Sequence, residues 1–178
     1  MIRDTEVIYE GRITRYELKT IELPNKKIKK YEFVDHKPAV AVIALTADDC
    51  MIFVEQYRLG VDRKILEIPA GLVDPGEEML DSAKRELEEE TATGAKSWRE
   101  LRSFYTAPGF TNSYNKIFEA RDLYPVKNPL PQDDDEFLKV VQLTFAEAEA
   151  AYERGDICDM KTIWALDYWR TLQETREH

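Results

Sequence analysis

One predicted helix carries an unusual density of carboxylates. Glu86, Glu88, Glu89 and Glu90 fall within about one turn of a helix predicted over residues 78–91. Like charges at this spacing repel by roughly a few tenths of a kcal/mol per i,i+4 pair. Either solvent screens them, or cations bind among them. Mg²⁺ takes oxygen ligands and keeps waters that phosphate oxygens can replace, so the alternatives are a solvated acidic face and a divalent cation site.

The spacing of apolar residues places most of these carboxylates beside the core. An apolar stripe at helical spacing is formed by Leu80, Ala83 and Leu87. At 100° per residue, Glu86, Glu89 and Glu90 lie on an adjacent arc of about 100°, at the boundary between core and solvent. Glu88 points elsewhere and is expected in solvent. Arg85 and Glu89 are four residues apart and are expected to pair.

The segment before the helix, "GLVDPGEE", predicts a tight loop. Gly71, Gly76 and Pro75 favour a turn that brings the chain back onto its own helix. Such a loop places backbone carbonyls and Glu77 near the helix carboxylates. The glutamate cluster is therefore not a bare acidic run.

These residues together resemble the motif of the Nudix hydrolases. That motif reads Gly, five residues, Glu, seven residues, Arg-Glu, an aliphatic, any residue, Glu-Glu, any residue, Gly and an aliphatic. The positions that agree are Gly71, Glu77, Arg85, Glu86, Leu87, Glu89 and Glu90. The two closing positions do not agree, since Ala92 replaces the glycine and Thr93 the aliphatic. Because Gly94 follows, we expect the helix to end slightly later with its metal face intact.

The resemblance implies a fold and a set of roles. The fold class is α+β: a Nudix α/β/α sandwich with a mixed sheet, preceded by a small N-terminal antiparallel sheet. The implied metal ligands are the Ala70 carbonyl and the carboxylates of Glu86, Glu89 and Glu90. Arg85 would orient the carboxylates, with Glu89 also counted among the catalytic groups. Glu77 would tie the loop, with Gly71, to the helix.

The elements that must position this site follow from hydrophobic patterning. Residues 15–23 and 28–36 alternate around "PNKK" and predict an antiparallel hairpin. The apolar run "AVAVIAL" predicts a buried strand. Further strands are predicted at 51–58, 65–71, 98–108, 114–123 and 137–145. Two helices are predicted at 145–155, with a Thr144/Glu147 capping box, and at 160–173, with Asp159 as its cap. The predicted domains are residues 1–37 and 38–178.

More of the chain resembles the ADP-ribose pyrophosphatase and nucleotide-sugar branch of the family. "VEQYR", "LEIPAG" and "GDICDMKTIWALDYW" carry this likeness, as does "APGF" with Pro108 and Gly109. Ser113 stands where the branch often has an acid that contacts the sugar, which leaves room for a hexose nucleotide. The substrate-side candidates are Tyr31, Arg58, Glu67, Pro108, Gly109 and Ser113. In the acidic loop "DDDEF" (133–137), Asp134 and Glu136 match the positions of the branch's general base and extra metal ligand, although their register is open by one residue.

The resulting hypothesis is Mg²⁺-dependent hydrolysis of the pyrophosphate bond of a nucleoside diphosphate sugar such as ADP-ribose or GDP-mannose. Two to three ions are expected, with Mn²⁺ as an alternative metal. The resemblance implies a homodimer whose N-terminal sheet adds to the partner's pocket. The net charge of -10 argues against a nucleic-acid backbone as partner. We expect a cytoplasmic location and no membrane partner. The alternatives are a nucleotide-sugar sensor with little turnover, a hydrolase of another nucleoside diphosphate derivative, or an acidic interaction domain.

Overall fold

The protein has an α+β fold, the class that the sequence predicted. A computed structural model describes residues 1–131 and 137–176. By its internal contacts the chain divides into two compact units: Met1–Ala39 with Ser103–Asn115, and Val40–Arg102 with the chain from Lys116 onward. The division at residue 37 stays a prediction. Within the described ranges, no helix is both long and apolar enough to cross a membrane.

The first unit contains a three-stranded antiparallel sheet in the order β1-β2-β3. Its strands are β1 (Ile2–Glu10), β2 (Thr14–Glu22) and β3 (Ile28–His36). The prediction of a two-stranded hairpin was incomplete, because β1 was missed. Its sequence carries charges at Arg3, Asp4, Glu6 and Glu10, and every residue of it is exposed. A strand without a buried face has no hydrophobic alternation to reveal it.

The second unit is built on two sheets, although residues 39, 103–105 and 114–115 at the ends of their strands belong to the first unit. One has the order β10-β5-β6, with β5 Met51–Arg58, β6 Arg63–Glu67 and β10 Lys139–Leu143. The other has the order β7-β4-β9-β8, with β4 Ala39–Ala44, β7 Ala70–Leu72, β8 Thr93–Tyr105 and β9 Tyr114–Pro125. The single strand predicted at 65–71 was wrong: the chain leaves one sheet after Glu67 and enters the other at Ala70. Ile68 and Pro69 make that change of sheet.

Three helices complete the described part of the second unit, namely α1 (Met79–Thr91), α2 (Phe145–Glu153) and α3 (Met160–Arg176). The capping box at α2 is confirmed, since the Thr144 hydroxyl accepts from the Glu147 amide and the Glu147 side chain accepts from the Thr144 amide. At the start of α3, Asp159 Oδ1 accepts from the Thr162 amide at 3.2 Å, which confirms the predicted cap.

The helix α1 packs on the apolar core through the predicted stripe. Ala83 and Leu87 are fully buried in a cluster with strand residues such as Val42 and Phe118, and Leu80 packs against its edge. Burying a large aliphatic side chain such as that of Leu87 stabilises the fold by roughly 1.5–3 kcal/mol. This packing fixes the rotation of α1, and with it the direction in which its carboxylates point.

The expected extension of α1 toward Gly94 was wrong. The helix ends at Thr91, and Ala92 takes a left-handed conformation (φ 52°, ψ 30°) in which its amide donates to the Glu88 carbonyl at 2.8 Å. Ala92 thus does what a glycine does at a helix end. Gly94 lies in β8 instead, where it makes room for an aromatic ring, since a Cβ at this position would sit 2.5 Å from Cζ of Tyr124.

Candidate active site

Arg85 is the centre of the loop and helix arrangement. Its Nη1 donates to Glu86 Oε1 and to Glu89 Oε2, both at 2.8 Å, so the predicted pairing with Glu89 is confirmed. Its Nη2 donates to the Leu72 carbonyl at 3.0 Å and to Glu77 Oε2 at 3.1 Å. Its Nε donates to Glu77 Oε1 at 3.2 Å. One guanidinium thus joins the loop, through Glu77 and the Leu72 carbonyl, to two carboxylates of α1.

These contacts shift the pKa values of the partners. Burial alone would lower the pKa of Arg85. The hydrogen bonds and charges of the surrounding carboxylates raise that pKa by more, so it ends above its ordinary value. The pKa of Glu77 is lowered chiefly by its hydrogen bonds with Arg85, against the effect of burial, with help from the Ser82 hydroxyl at 2.6 Å. Both groups are therefore charged at neutral pH, and Glu77 holds the loop to the helix.

Two carboxylates of α1 lie deeper than the sequence suggested. Glu86 is 7% exposed and Glu90 1%, whereas a boundary position was expected. Glu90 Oε2 accepts from the Ala70 amide at 3.0 Å. At Gly71, a Cβ would lie 2.1 Å from the carboxyl carbon of Glu86. Only glycine lets β7 approach this carboxylate so closely, which explains the first residue of the motif.

Glu88 does not point into solvent as expected. It is half-buried, and its Oε1 accepts from the Leu130 amide at 3.1 Å, 42 residues along the chain. The prediction used only the helical position, and a backbone segment that returns from far away in the sequence covers that face. Glu88 therefore anchors the segment after β9 to α1.

A second charged group lies where β5, β6 and α3 meet. The Glu67 carboxylate is buried, and its two oxygens accept from Arg58 Nε at 2.5 Å and from Lys161 Nζ at 2.6 Å. Arg58 and Glu67 were both predicted as substrate-side residues, and they contact each other. Lys161 was missed. Its only sequence signal was its place in the first turn of α3, 94 residues from its partner.

The remaining substrate-side candidates belong to the first unit. Pro108, Gly109 and Ser113 lie in the connection between β8 and β9, closed by a 2.9 Å hydrogen bond from the Thr106 amide to the Ser113 carbonyl. Pro108 and Gly109 are exposed, and Ser113 is half-buried. Tyr31 lies on β3 and is 43% exposed. Their roles toward a substrate stay predictions.

The two acids predicted for proton transfer, Asp134 and Glu136, lie outside the described residues. Their roles also stay predictions. Neither histidine had a predicted role; His36 contacts the Lys37 carbonyl through Nδ1 at 2.6 Å.

The donor set of α1 and β7 fits a hard divalent cation. Carboxylate and carbonyl oxygens are the ligands that Mg²⁺ takes. Glu86 and Glu90 are buried, and buried carboxylates are costly unless cations or hydrogen bonds compensate them. Within the described ranges, no three acidic, histidine or cysteine side chains already converge as a metal cluster. Arg85 instead bridges Glu86 and Glu89, contacting one oxygen of each carboxylate.

Comparison with known proteins agrees with this arrangement. The profile of the NUDIX domain matches residues 35–160. The chain is 40% identical over 174 residues to the "Methanol dehydrogenase activator" of Bacillus methanolicus, covering 98% of this chain and 94% of that protein. It is 39% identical over 163 residues to the "ADP-ribose pyrophosphatase" of Bacillus subtilis, covering 92% and 88%.

A solved structure agrees over nearly the whole chain. The crystal structure of an ADP compounds hydrolase superposes with a TM-score of 0.85 at 29% identity, covering 99% of this chain and 95% of that one. The domain match spans well over half of the sequence and includes the loop, α1 and the buried carboxylates. The chain therefore belongs to the Nudix family and is a Nudix hydrolase.

Proposed function

We propose that the protein hydrolyses the pyrophosphate bond of ADP-ribose or a related ADP compound with Mg²⁺. The products are AMP and a sugar phosphate. The observation that carries the proposal is the pair of buried carboxylates, Glu86 and Glu90, held beside β7 by Arg85, Ala70 and Gly71. The names of two similar proteins, an ADP-ribose pyrophosphatase and an ADP compounds hydrolase, support the choice of nucleotide.

In this proposal the oxygens of Glu86, Glu89, Glu90 and the Ala70 carbonyl hold two to three Mg²⁺ ions, or Mn²⁺ in their place. Bound ions neutralise the diphosphate and lower the pKa of water. The chain itself supplies orientation: Arg85 holds Glu86 and Glu89 from one side, and Glu77 holds Arg85. This pre-organisation means that the carboxylates need not be ordered when substrate binds.

Proton transfer is proposed for the acidic loop. Asp134 or Glu136 takes the proton of the attacking water, the role that the resemblance to the branch implies for them. Arg58 contacts the diphosphate directly, since its side chain is 42% exposed while its Nε is held by Glu67. A guanidinium that uses Nε for positioning keeps its terminal nitrogens for phosphate oxygens.

The choice of sugar depends on Ser113, which replaces an acid of the branch. A hydroxyl is compatible with either a pentose or a hexose. GDP-mannose therefore stays as the competing substrate. The two similar proteins that support the choice of nucleotide are named for ADP-ribose and for ADP compounds, not for GDP-mannose. On this proposal ADP-ribose is preferred, and Ser113 tolerates rather than selects the sugar.

The test is a turnover panel in Mg²⁺ with ADP-ribose, GDP-mannose, ADP-glucose, UDP-glucose, NADH and a dinucleoside polyphosphate. Products are identified as monophosphates. Glu90→Gln is run beside wild type and should lower turnover by about 100-fold or more, since even groups behind a metal ligand contribute about 10–100-fold. Glu78→Gln is the matched control, because Glu78 is exposed and its side chain makes no cap hydrogen bond.

The outcomes separate the hypotheses. ADP-ribose as best substrate supports the proposal, and a hexose nucleotide as best substrate makes Ser113 a specificity residue. Binding of ADP-ribose without hydrolysis of any compound favours the sensor alternative. Near-normal turnover by Glu90→Gln contradicts the metal assignment.

A second candidate function follows from one comparison. The relative at 40% identity over 98% of the chain is named for activation of a methanol dehydrogenase. We propose as the alternative that this chain stimulates a dehydrogenase of that kind. Adding wild type and Glu90→Gln to a methanol dehydrogenase assay distinguishes the two, because stimulation that persists in Glu90→Gln does not depend on hydrolysis.

We also propose a homodimer formed through the first unit. The three-stranded sheet exposes large apolar side chains, with Ile2 55%, Val7 48%, Tyr9 66% and Ile28 57% exposed. Exposed apolar patches of this kind typically mark interaction sites.

A further inference from the structure

The buried carboxylate of Glu67 is held by two cationic side chains, one from earlier in the chain and one from later. Arg58 comes from β5 and donates through Nε at 2.5 Å, and Lys161 comes from α3 and donates through Nζ at 2.6 Å. The Glu67 side chain is 5% exposed and that of Lys161 13%, whereas that of Arg58 is 42% exposed. Lys161 is thus the buried partner, and Arg58 is the partner that reaches solvent.

The first turn of α3 fixes Lys161 in place. Asp159 Oδ1 accepts from Lys161 Nζ at 2.9 Å and from the Thr162 amide at 3.2 Å. The Thr162 hydroxyl is buried and accepts from the Ile68 amide at 3.1 Å. Asp159, Lys161 and Thr162 therefore hold two successive residues, Glu67 and Ile68, at the end of β6.

The same short segment is held at its other end by α1. The Ala70 amide donates to Glu90, and Gly71 packs directly on the carboxylate of Glu86. Residues 67–71 are thus held between the first turn of α3 and the acidic face of α1. Ala70 and Gly71 are therefore held against the acidic face by contacts of their own, whereas the orientation of Arg58 depends on the Glu67 carboxylate.

A buried carboxylate with two charge-assisted hydrogen bonds has little freedom to rotate. Removing one partner leaves the charge under-compensated and free to seek the other partner with both oxygens. For Glu67, loss of Lys161 would let the carboxylate take Arg58 in a two-point contact. The Arg58 guanidinium would then turn inward and lose its orientation toward solvent.

We propose that Lys161 is a positioning residue for substrate binding: by holding Glu67, it keeps Arg58 oriented toward the diphosphate. The inference rests on the proposed function for the identity of the ligand. Lys161 does not touch the substrate and acts only through Glu67 and Arg58. The reacting groups are unaffected, so the effect is on binding rather than on the chemical step.

The test compares Lys161→Met, Lys161→Arg and the control Lys64→Met with ADP-ribose and Mg²⁺. Lys64 lies on β6 of the same unit and pairs with Glu55 at 3.6 Å on the surface. Lys161→Met should raise KM roughly tenfold with kcat within about twofold of wild type, the pattern of lost uniform binding. Lys161→Arg should restore most of the affinity, and Lys64→Met should leave both constants unchanged.

A double-mutant cycle tests the route of the effect. If Lys161 acts through Arg58, then Lys161→Met adds little to the KM of Arg58→Gln, because the group it positions is already gone. Full additivity of the two changes contradicts the inference. A second result also contradicts the inference: Lys161→Met has an unchanged KM, a lower Tm and a proportionally lower kcat. That pattern reports only a loss of folded protein.

Failure of the proposed function gives a different result. If wild type binds ADP-ribose without hydrolysing it, the enzyme proposal is wrong, and the same comparison is made with Kd from calorimetry in place of KM. A Kd for Lys161→Met that is weaker by about tenfold then still supports the positioning role. If wild type prefers another nucleotide of the panel, the comparison is made with that nucleotide. If it neither binds nor hydrolyses any of them, both proposals are wrong.

Discussion

At the scale of single residues, the site depends on Gly71, which has no side chain, and on Arg85, whose guanidinium contacts three carboxylates. Gly71 gives the Glu86 carboxylate its space, and Arg85 holds that carboxylate together with Glu89 and Glu77. The helical spacing predicted that Arg85 pairs with Glu89, and the turn residues predicted that Glu77 comes near the helix carboxylates, because loop and helix are adjacent along the chain. The contacts of Gly71 with Glu86 and of Arg85 with the Leu72 carbonyl were not predicted, because helical geometry fixes only pairs within one helix.

Gly71→Ala should separate folding from activity. The added Cβ would fall 2.1 Å from the Glu86 carboxyl carbon, so the carboxylate must move, while the backbone of β7 can stay. We expect Tm to fall by a few degrees and turnover of ADP-ribose to fall by about 100-fold, since misplacement by about 1 Å can cost this much. Gly60→Ala is the control, because nothing lies within 4 Å of its added Cβ. Equal activities would contradict this role of Gly71.

Glu77 makes stability depend on pH in acid. Its pKa is lowered from the usual 4.5 in the folded protein, chiefly by Arg85. The unfolded chain therefore binds this proton more readily, so the stabilisation is complete above pH 4.5 and is lost as pH falls through the folded pKa. Glu77→Gln should lower the free energy of unfolding by about 1–3 kcal/mol at neutral pH.

The difference between Glu77→Gln and wild type should shrink below pH 4.5, as measured by urea unfolding from neutral pH into acid. Glu78→Gln, one residue away and exposed, should show no such convergence. A gap that stays constant with pH would show that the Glu77 charge does not contribute.

At the scale of elements, the sequence predicted most strands and helices but not their partners. The bounds of β3 and β5 were predicted without error, because alternation and apolar runs mark them. The change of sheet after Glu67 was missed, since sheet membership depends on which distant strand pairs with which. Lys161 and Thr162 were missed for the same reason: each contacts residues 94 positions earlier.

The end of α1 offers a stability prediction. Ala92 adopts φ 52°, a conformation that costs an L-residue roughly 1–2 kcal/mol and costs glycine little. Ala92→Gly should therefore stabilise the protein by about 1 kcal/mol and raise Tm by about 2–4 °C. Ala146→Gly, at an exposed position inside α2, should lower Tm instead. Thermal unfolding followed by circular dichroism measures both, and a lower Tm for Ala92→Gly would contradict the assignment.

At the scale of the whole molecule, the proposed dimer is open to direct measurement. Light scattering should give about twice the chain mass of 20.8 kDa. Val7→Lys adds a charge to the exposed sheet without touching the core and should shift the mass toward the monomer. A monomeric wild type would contradict the dimer, and the exposed apolar residues of β1 would then need another partner.

The contacts of α3 also set an order in time. Chains are made from the N-terminus at roughly 5–20 residues per second, and roughly 70 residues separate Glu90 from Thr162. A growing chain therefore holds α1 and its carboxylates for roughly 4–14 s before the residues that hold Glu67 and Ile68 exist. Until then the anchor of Arg58 is incomplete. The ribosome thus delivers the carboxylates of α1 early, and last of all the residues that hold Glu67, on which the orientation of Arg58 depends.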